Sequence, residues 1–124
     1  MKRQTKPLAI IIEDDISLTD IFAQAMKQAD FDTQTVADGQ QALDMLAKIE
    51  PTVIVLDLYL PSVSGEKILM YIRNDDRLKK SIVVLTTFDS LLADSLREQS
   101  DFVLLKPVSF TQLRDLGSRL RKTL

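Results

Sequence analysis

The stretch "TVIVLDLYLPSVSG", residues 52–65, decides the fold. Thr52 through Leu56 is β-branched and apolar, the pattern of a strand buried on both faces. It then runs into Asp57, which has no basic neighbour on either side. Burying a carboxylate without a partner is expensive. The strand must therefore deliver that carboxylate to something that meets it.

Working outward, the chain alternates strands with helices. "PLAIII" (7–12) is a short apolar run stopped by acids, which predicts a buried strand. Leu18, Ile21, Phe22, Ala25, Met26 and Ala29 repeat at helical spacing and predict one apolar helix face. "FDTQTV" (31–36) has a polar alternate face, which suits an edge strand. Ala42, Leu43, Leu46 and Ile49 mark a second helix closed by Pro51, and Ile68, Leu69 and Ile72 a third. Further strands are expected at "SIVVLTT" (81–87) and "FVLL" (102–105), with a short helix between them at 91–99. Phe110, Leu113, Leu116 and Leu120 form a last helix, ending in Arg119, Arg121 and Lys122 as the helix dipole favours. The most apolar strand, 52–56, belongs at the centre of the sheet. Five strands alternating with five helices predict an α/β fold, a doubly wound parallel sheet covered on both faces.

Composition narrows the chemistry. The 124 residues suit a single domain, 1–124, with "MKRQTK" (1–6) a solvated, flexible tail. A net charge of −2 makes no electrostatic case for nucleic acid or an anionic membrane. No apolar run reaches membrane-span length and no signal peptide is visible, which places the expected location in the cytoplasm. The absence of cysteine removes disulfides, thiolate metal sites and thiol catalysis. The absence of histidine removes a Ser-His-Asp triad, imidazole metal ligands and any role as a histidine phosphodonor.

In a doubly wound sheet the site lies beyond the carboxyl ends of the strands, where the strand order reverses. Here those ends carry Glu13, Asp14 and Asp15, then Asp57, then Thr86 and Thr87, then Lys106 followed by Pro107. An acid after a strand is usually a helix cap, but Asp57 is followed by "LYLP" and not by a helix. Clustered carboxylates repel unless a cation or a proton neutralises them. Oxygen ligands without His or Cys suit a hard ion, and few carboxylates plus water suit Mg²⁺. Such an ion beside a free carboxylate, a hydroxyl and a lysine is an arrangement for phosphoryl transfer, with the carboxylate as nucleophile.

"IIIEDD", "VLDLYLPSVSG", "VVLTT" and "LLKP", in this order and near-family spacing, resemble the receiver domain of two-component response regulators, and "VADGQQAL" (36–43) fits the same pattern. The resemblance covers essentially the whole chain. It implies strand order 2-1-3-4-5, and phosphorylation of Asp57 by a sensor histidine kinase or phosphotransfer protein. It makes Asp14 and Asp57 direct Mg²⁺ ligands (with Mn²⁺ an alternative), Glu13 a ligand through water and the Tyr59 carbonyl a backbone ligand. Thr86 and Lys106 would contact the phosphoryl oxygens, and the Lys106–Pro107 bond would be cis. Asp15, one past the acidic pair, reads as a helix-start residue. The only catalysis implied is the chain's own phosphorylation and dephosphorylation. Output, including any dimer, would use the face of the fourth helix, fifth strand and fifth helix, where Leu91, Leu92 and Leu96 lie; the downstream protein is unspecified. The chain stops just after the last helix, so an output domain is not expected within it.

Departures bear on output. The family's usual aromatic three residues before the lysine is Val103, and Phe102, one earlier, should face the other side of the strand. The usual Gly-Ala before the last strand is Gln99 and Ser100, and the residue after Thr86 is the larger Thr87, expected to narrow the entrance. Tyr59 and Phe88 occupy the positions that flank water's approach in the family, which implies slow loss of phosphate. Rival readings are weaker. An FMN protein needs a phosphate cradle where "EDD" stands, and an aspartyl phosphatase needs an acid where Tyr59 stands. The alternative that remains is a receiver-like adaptor that acts by protein binding without phosphorylation.

Overall fold

In the computed structural model, which describes residues 5–124, apolar alternation along the strands builds two cores at once. Ile10, Ile12, Ile54, Leu56, Val83 and Leu85 face one side of the sheet, and Ala9, Ile11, Val53, Val55 and Val84 face the other. The strands are β1 (Leu8–Ile12), β2 (Asp32–Val36), β3 (Val53–Asp57), β4 (Ile82–Thr87) and β5 (Phe102–Leu105). All neighbouring pairs are parallel, in the order β2-β1-β3-β4-β5, with β3 central and β2 at an edge as expected. The helices are α1 (Ile16–Gln28), α2 (Gly39–Leu46), α3 (Gly65–Asn74), α4 (Ser90–Ser95) and α5 (Phe110–Lys122). Phe22 and Met26 of α1 pack with Leu113, Leu116 and Leu120 of α5 on one face. Leu46 of α2, Ile68, Leu69 and Ile72 of α3, and Leu96 after α4 cover the other.

Each helix starts where a short polar side chain can take an orphan N–H. Asp15, Asp38, Ser64, Asp89 and Ser109 accept from Leu18, Gln41, Lys67, Leu92 and Gln112 respectively. Each cap contributes about 1 kcal/mol. The helix-start reading of Asp15 therefore holds.

Several expectations need correction. Ile21 is 38% exposed, because the buried stripe of α1 is narrowed to Phe22, Ala23, Ala25 and Met26. The second helix stops at Leu46, before Ile49, although Ile49 still packs on the core. The expected helix 91–99 is α4 followed by a 3₁₀ turn, Arg97–Gln99, since Leu96 leaves the helical region to bury itself. Of the three leucines on the expected output face, some of which a short helix must bury, Leu96 is core, Leu92 is half-buried and Leu91 is open, at 82%. Phe102 is exposed and Val103 packs inward, as the strand alternation requires. Of the expected tail, residues 1–4 lie outside the described residues, while Lys6 pairs with Asp30 at 3.4 Å.

The segment that leads into β5 is tied to α3 by Arg73. Its guanidinium donates to the carbonyls of Gln99 (2.6 Å), Lys79 (3.0 Å) and Ser81 (2.9 Å), and to Asp101 Oδ2 (2.8 Å). The same Asp101 oxygen accepts from Val83 N–H at 2.8 Å, so one side chain joins α3, the entry to β4 and the entry to β5.

Candidate functional site

The reversal of strand order between β1 and its two neighbours brings the ends of β1 and β3 side by side. Register then sets the rest, since Ile12 lies opposite Leu56 and Asp57 opposite Thr86. Glu13 and Asp57 are buried, at 1% and 4% exposure, while Asp14 is exposed. Each of the three offers a carboxylate oxygen within 4.8 Å of the others. An open cleft of about 440 Å³ lies over them, lined also by Asp15, Leu18, Tyr59, Phe88 and Lys106.

The missing partner of Asp57 comes from β5. Lys106 Nζ is 3.4 Å from Asp57 Oδ2 and 2.7 Å from Glu13 Oε1, with its side chain 6% exposed. The Glu13 contact is an ion pair without hydrogen-bond alignment. The Lys106–Pro107 peptide is cis, as expected. Burial alone would lower the Lys106 ammonium, but Glu13 and Asp57 outweigh it and hold its pKa above the ordinary lysine value. Burial pushes the Glu13 carboxyl up to about 7, and repulsion from Asp57 adds to this; Lys106 and the Asp15 N–H, 3.1 Å from Oε2, pull the other way. One lysine therefore does not fully neutralise two buried acids. A hard cation on the same oxygens would, and the all-oxygen donor set suits one.

Thr86 is fully buried beside Asp57, and its hydroxyl has no hydrogen-bond partner. An orphan hydroxyl costs about 1–3 kcal/mol, which a ligand oxygen would recover. Thr87 does not narrow the entrance. It is wholly buried and its Oγ1 accepts from Asp89 N–H at 3.0 Å. Tyr59 and Phe88 do flank the mouth, at 59% and 74% exposure, and the Phe88 ring centroid is 5.6 Å from the Lys106 ammonium. At that distance a ring face attracts a cation.

Two contacts were not legible in the sequence. The Tyr59 hydroxyl donates to Asp89 Oδ2 at 2.5 Å, and the Ser62 hydroxyl donates to Asp38 Oδ1. Asp38 and Asp89 both cap helices, and these second partners lie 24 and 30 residues away in the chain, beyond any local pattern.

Comparison with known proteins agrees with this geometry. Residues 9–116 match the family model of the response regulator receiver domain. The transcriptional regulatory protein TrcR of Mycobacterium tuberculosis is 32% identical over 114 residues, covering 90% of this chain and 43% of TrcR. The DNA-binding response regulator MtrA of the same organism is 30% identical over 119 residues, covering 93% of this chain and 49% of MtrA. The chain thus spans about half the length of these relatives. Among solved structures, the signal receiver domain of a LuxO repressor protein from Vibrio parahaemolyticus is 28% identical, with a TM-score of 0.82 over 95% of this chain and 94% of that one. The chemotaxis response regulator CheY4 of Vibrio cholerae, at 21% identity, shares the fold with a TM-score of 0.81 over 94% of this chain and 99% of that one. With its strand order, its acidic strand ends and a family match over most of its length, the chain belongs to the response regulator receiver domain family.

Proposed function

We propose that the domain accepts a phosphoryl group on Asp57 from a sensor histidine kinase or phosphotransfer protein, and that the modified domain changes its protein contacts. The observation that carries this is the Asp57 carboxylate, held at the end of the central strand 3.4 Å from a buried lysine and below an open cleft. In the transfer, an Asp57 carboxylate oxygen forms a bond to phosphorus as the bond from phosphorus to the donor's imidazole nitrogen breaks. The electron pair returns to the imidazole, and an acyl phosphate remains on Asp57. Lys106 neutralises phosphoryl oxygens that arrive, and the unpartnered Thr86 hydroxyl donates to one of them. Glu13 and Phe88 hold the Lys106 ammonium in place from either side.

Mg²⁺ fits the donor set, with Asp14, Asp57 and the Tyr59 carbonyl as ligands and Glu13 reached through water; Mn²⁺ has the same preference for oxygen. Bound there, it supplies charge neutralisation at the transferring phosphoryl group. No helix among the described residues is long and apolar enough to cross a membrane, and the reading places the domain in the cytoplasm beside its kinase. The DNA-binding role named for MtrA is not assigned to this domain, whose partner downstream is a protein, with dimerisation through α4, β5 and α5 as one route. Incubation with acetyl phosphate and Mg²⁺ should add one phosphoryl group by intact mass, and none in Asp57→Asn. Equal modification of the variant would refute the assignment, and no modification of the unaltered chain would favour the adaptor.

A further inference from the structure

The loop after Asp57 is strapped to two helix caps. On one side Asp38 caps α2 through Oδ2, 3.0 Å from Gln41 N–H, and holds Ser62 with Oδ1. On the other, Asp89 caps α4 through Oδ1, 3.0 Å from Leu92 N–H, and holds the Tyr59 hydroxyl with Oδ2 at 2.5 Å. Tyr59 is itself tied to the site, because its backbone N–H donates to Asp57 Oδ1 at 3.2 Å. A continuous chain of hydrogen bonds therefore runs from Asp57 through Tyr59 and Asp89 to the first turn of α4.

We propose that Asp89 is a positioning residue for the Asp57 site, and that the Tyr59–Asp89 strap carries the state of Asp57 to α4. The proposal rests on Asp57 being the phosphoacceptor. Phosphorylating an Asp57 oxygen takes charge from the acceptor that holds Tyr59 N–H, so the Tyr59 backbone reorients. The contact is short and direct, at 2.5 Å, so a reoriented Tyr59 acts on Asp89 without an intervening group. Either the strap opens or Asp89 turns with it, and both alter the carboxylate that caps α4. That helix is a weak element, six residues long with only Ala93 buried, so its cap is a large part of what holds it. The route does not pass through position 103, where Val103 has no ring to move. It supplies an output path that the valine otherwise leaves open.

The test uses Mg²⁺ with beryllofluoride as phosphoryl mimic, calorimetry for binding, and amide exchange for α4. Tyr59→Phe removes only the hydroxyl. Asp89→Ser keeps a cap for Leu92 but is too short to reach Tyr59. In the unaltered domain, binding should accelerate exchange at Leu92 and Ala93 by about fivefold or more, the lower end of ordinary coupling. In either variant those amides should change by less than about twofold, and both variants should shift the binding constant by the same factor as the double variant. A full α4 response in the variants would overturn the strap. So would binding to the unaltered domain with no change at α4. Failure of the unaltered domain to bind would instead remove the phosphoacceptor reading, and the strap with it.

Discussion

Replacing Gly65 by alanine sets two physical effects against each other at the site itself. Gly65 opens α3, directly after its Ser64 cap, and its N–H donates to Leu58 O at 2.9 Å. Helix propensity favours alanine over glycine by about 1 kcal/mol. A Cβ at this position would stand 2.2 Å from Asp57 O, 2.6 Å from Leu58 Cα and 2.9 Å from Asp57 C, all backbone atoms. Those gaps are roughly 1 Å short of tolerable contact, so helix or strand end must move. Overpacking of this kind costs about 1–3 kcal/mol, and losing the bond to Leu58 about 1 more. The steric term wins by about 1–3 kcal/mol. For 124 residues the unfolding entropy makes each kcal/mol worth about 4 °C, so Tm should fall by about 4–12 °C. Gly117→Ala is the comparison, since its Cβ would meet the Ala29 methyl at 2.9 Å and the Met26 sulfur at 3.0 Å; the thioether can yield, whereas the methyl is fixed to the backbone and α1 and α5 must separate slightly. Its contacts are longer than those at Gly65, so it should cost less than Gly65→Ala, about 1 kcal/mol. Because the displaced atoms belong to Asp57, phosphoryl uptake by Gly65→Ala should also slow by about 10- to 100-fold. Thermal melts of both variants and the rate of mass gain with acetyl phosphate give the answer. A Tm for Gly65→Ala at or above the unaltered value would show that propensity rules and that the close approach is unimportant.

Metal-free stability should depend on Glu13. Its carboxyl, raised from 4.5 to about 7, binds a proton more tightly folded than unfolded, so the stability this group contributes is fully present below about pH 4.5 and is lost as pH rises through about 7. Glu13→Gln should remove that loss, up to about 3 kcal/mol by urea titration, and parallel pH curves for the two proteins would refute it. Arg73→Ala strands three carbonyls and Asp101, and should lose about 2–4 kcal/mol in the same assay, with Arg73→Lys recovering only part; a loss below about 0.5 kcal/mol would deny the network its role. If the rings at the cleft mouth limit access of water, Tyr59→Asn with Phe88→Glu should shorten the phosphoryl half-life by about tenfold, and an unchanged half-life would show that they do not.

Much of the fold was legible because local pattern and global burial agree. β3 reads as central because Val53 through Leu56 are apolar on both faces, and both faces are in fact covered. The errors arose where packing overrides a periodic pattern. Ile21 has the spacing of a core residue but sits just off a stripe that α5 fills. Leu96 sits within a helical pattern but leaves the helix to enter the core. Thr87 reads as a neighbour of the cleft, yet strand alternation turns it inward, where it holds Asp89.

The sequence alone determined that carboxylates would stand at the ends of the first and third strands, and a hydroxyl and a lysine at the ends of the fourth and fifth. That follows from nearest-neighbour chemistry, because strand periodicity and turn residues are local properties. Only the tertiary structure decided how these groups stand toward one another. Lys106 divides itself between Glu13 and Asp57, the Thr86 hydroxyl is left without a partner, and Tyr59 reaches across to Asp89. Those facts depend on strand order, register and the direction of side chains on separate elements, which no local pattern encodes.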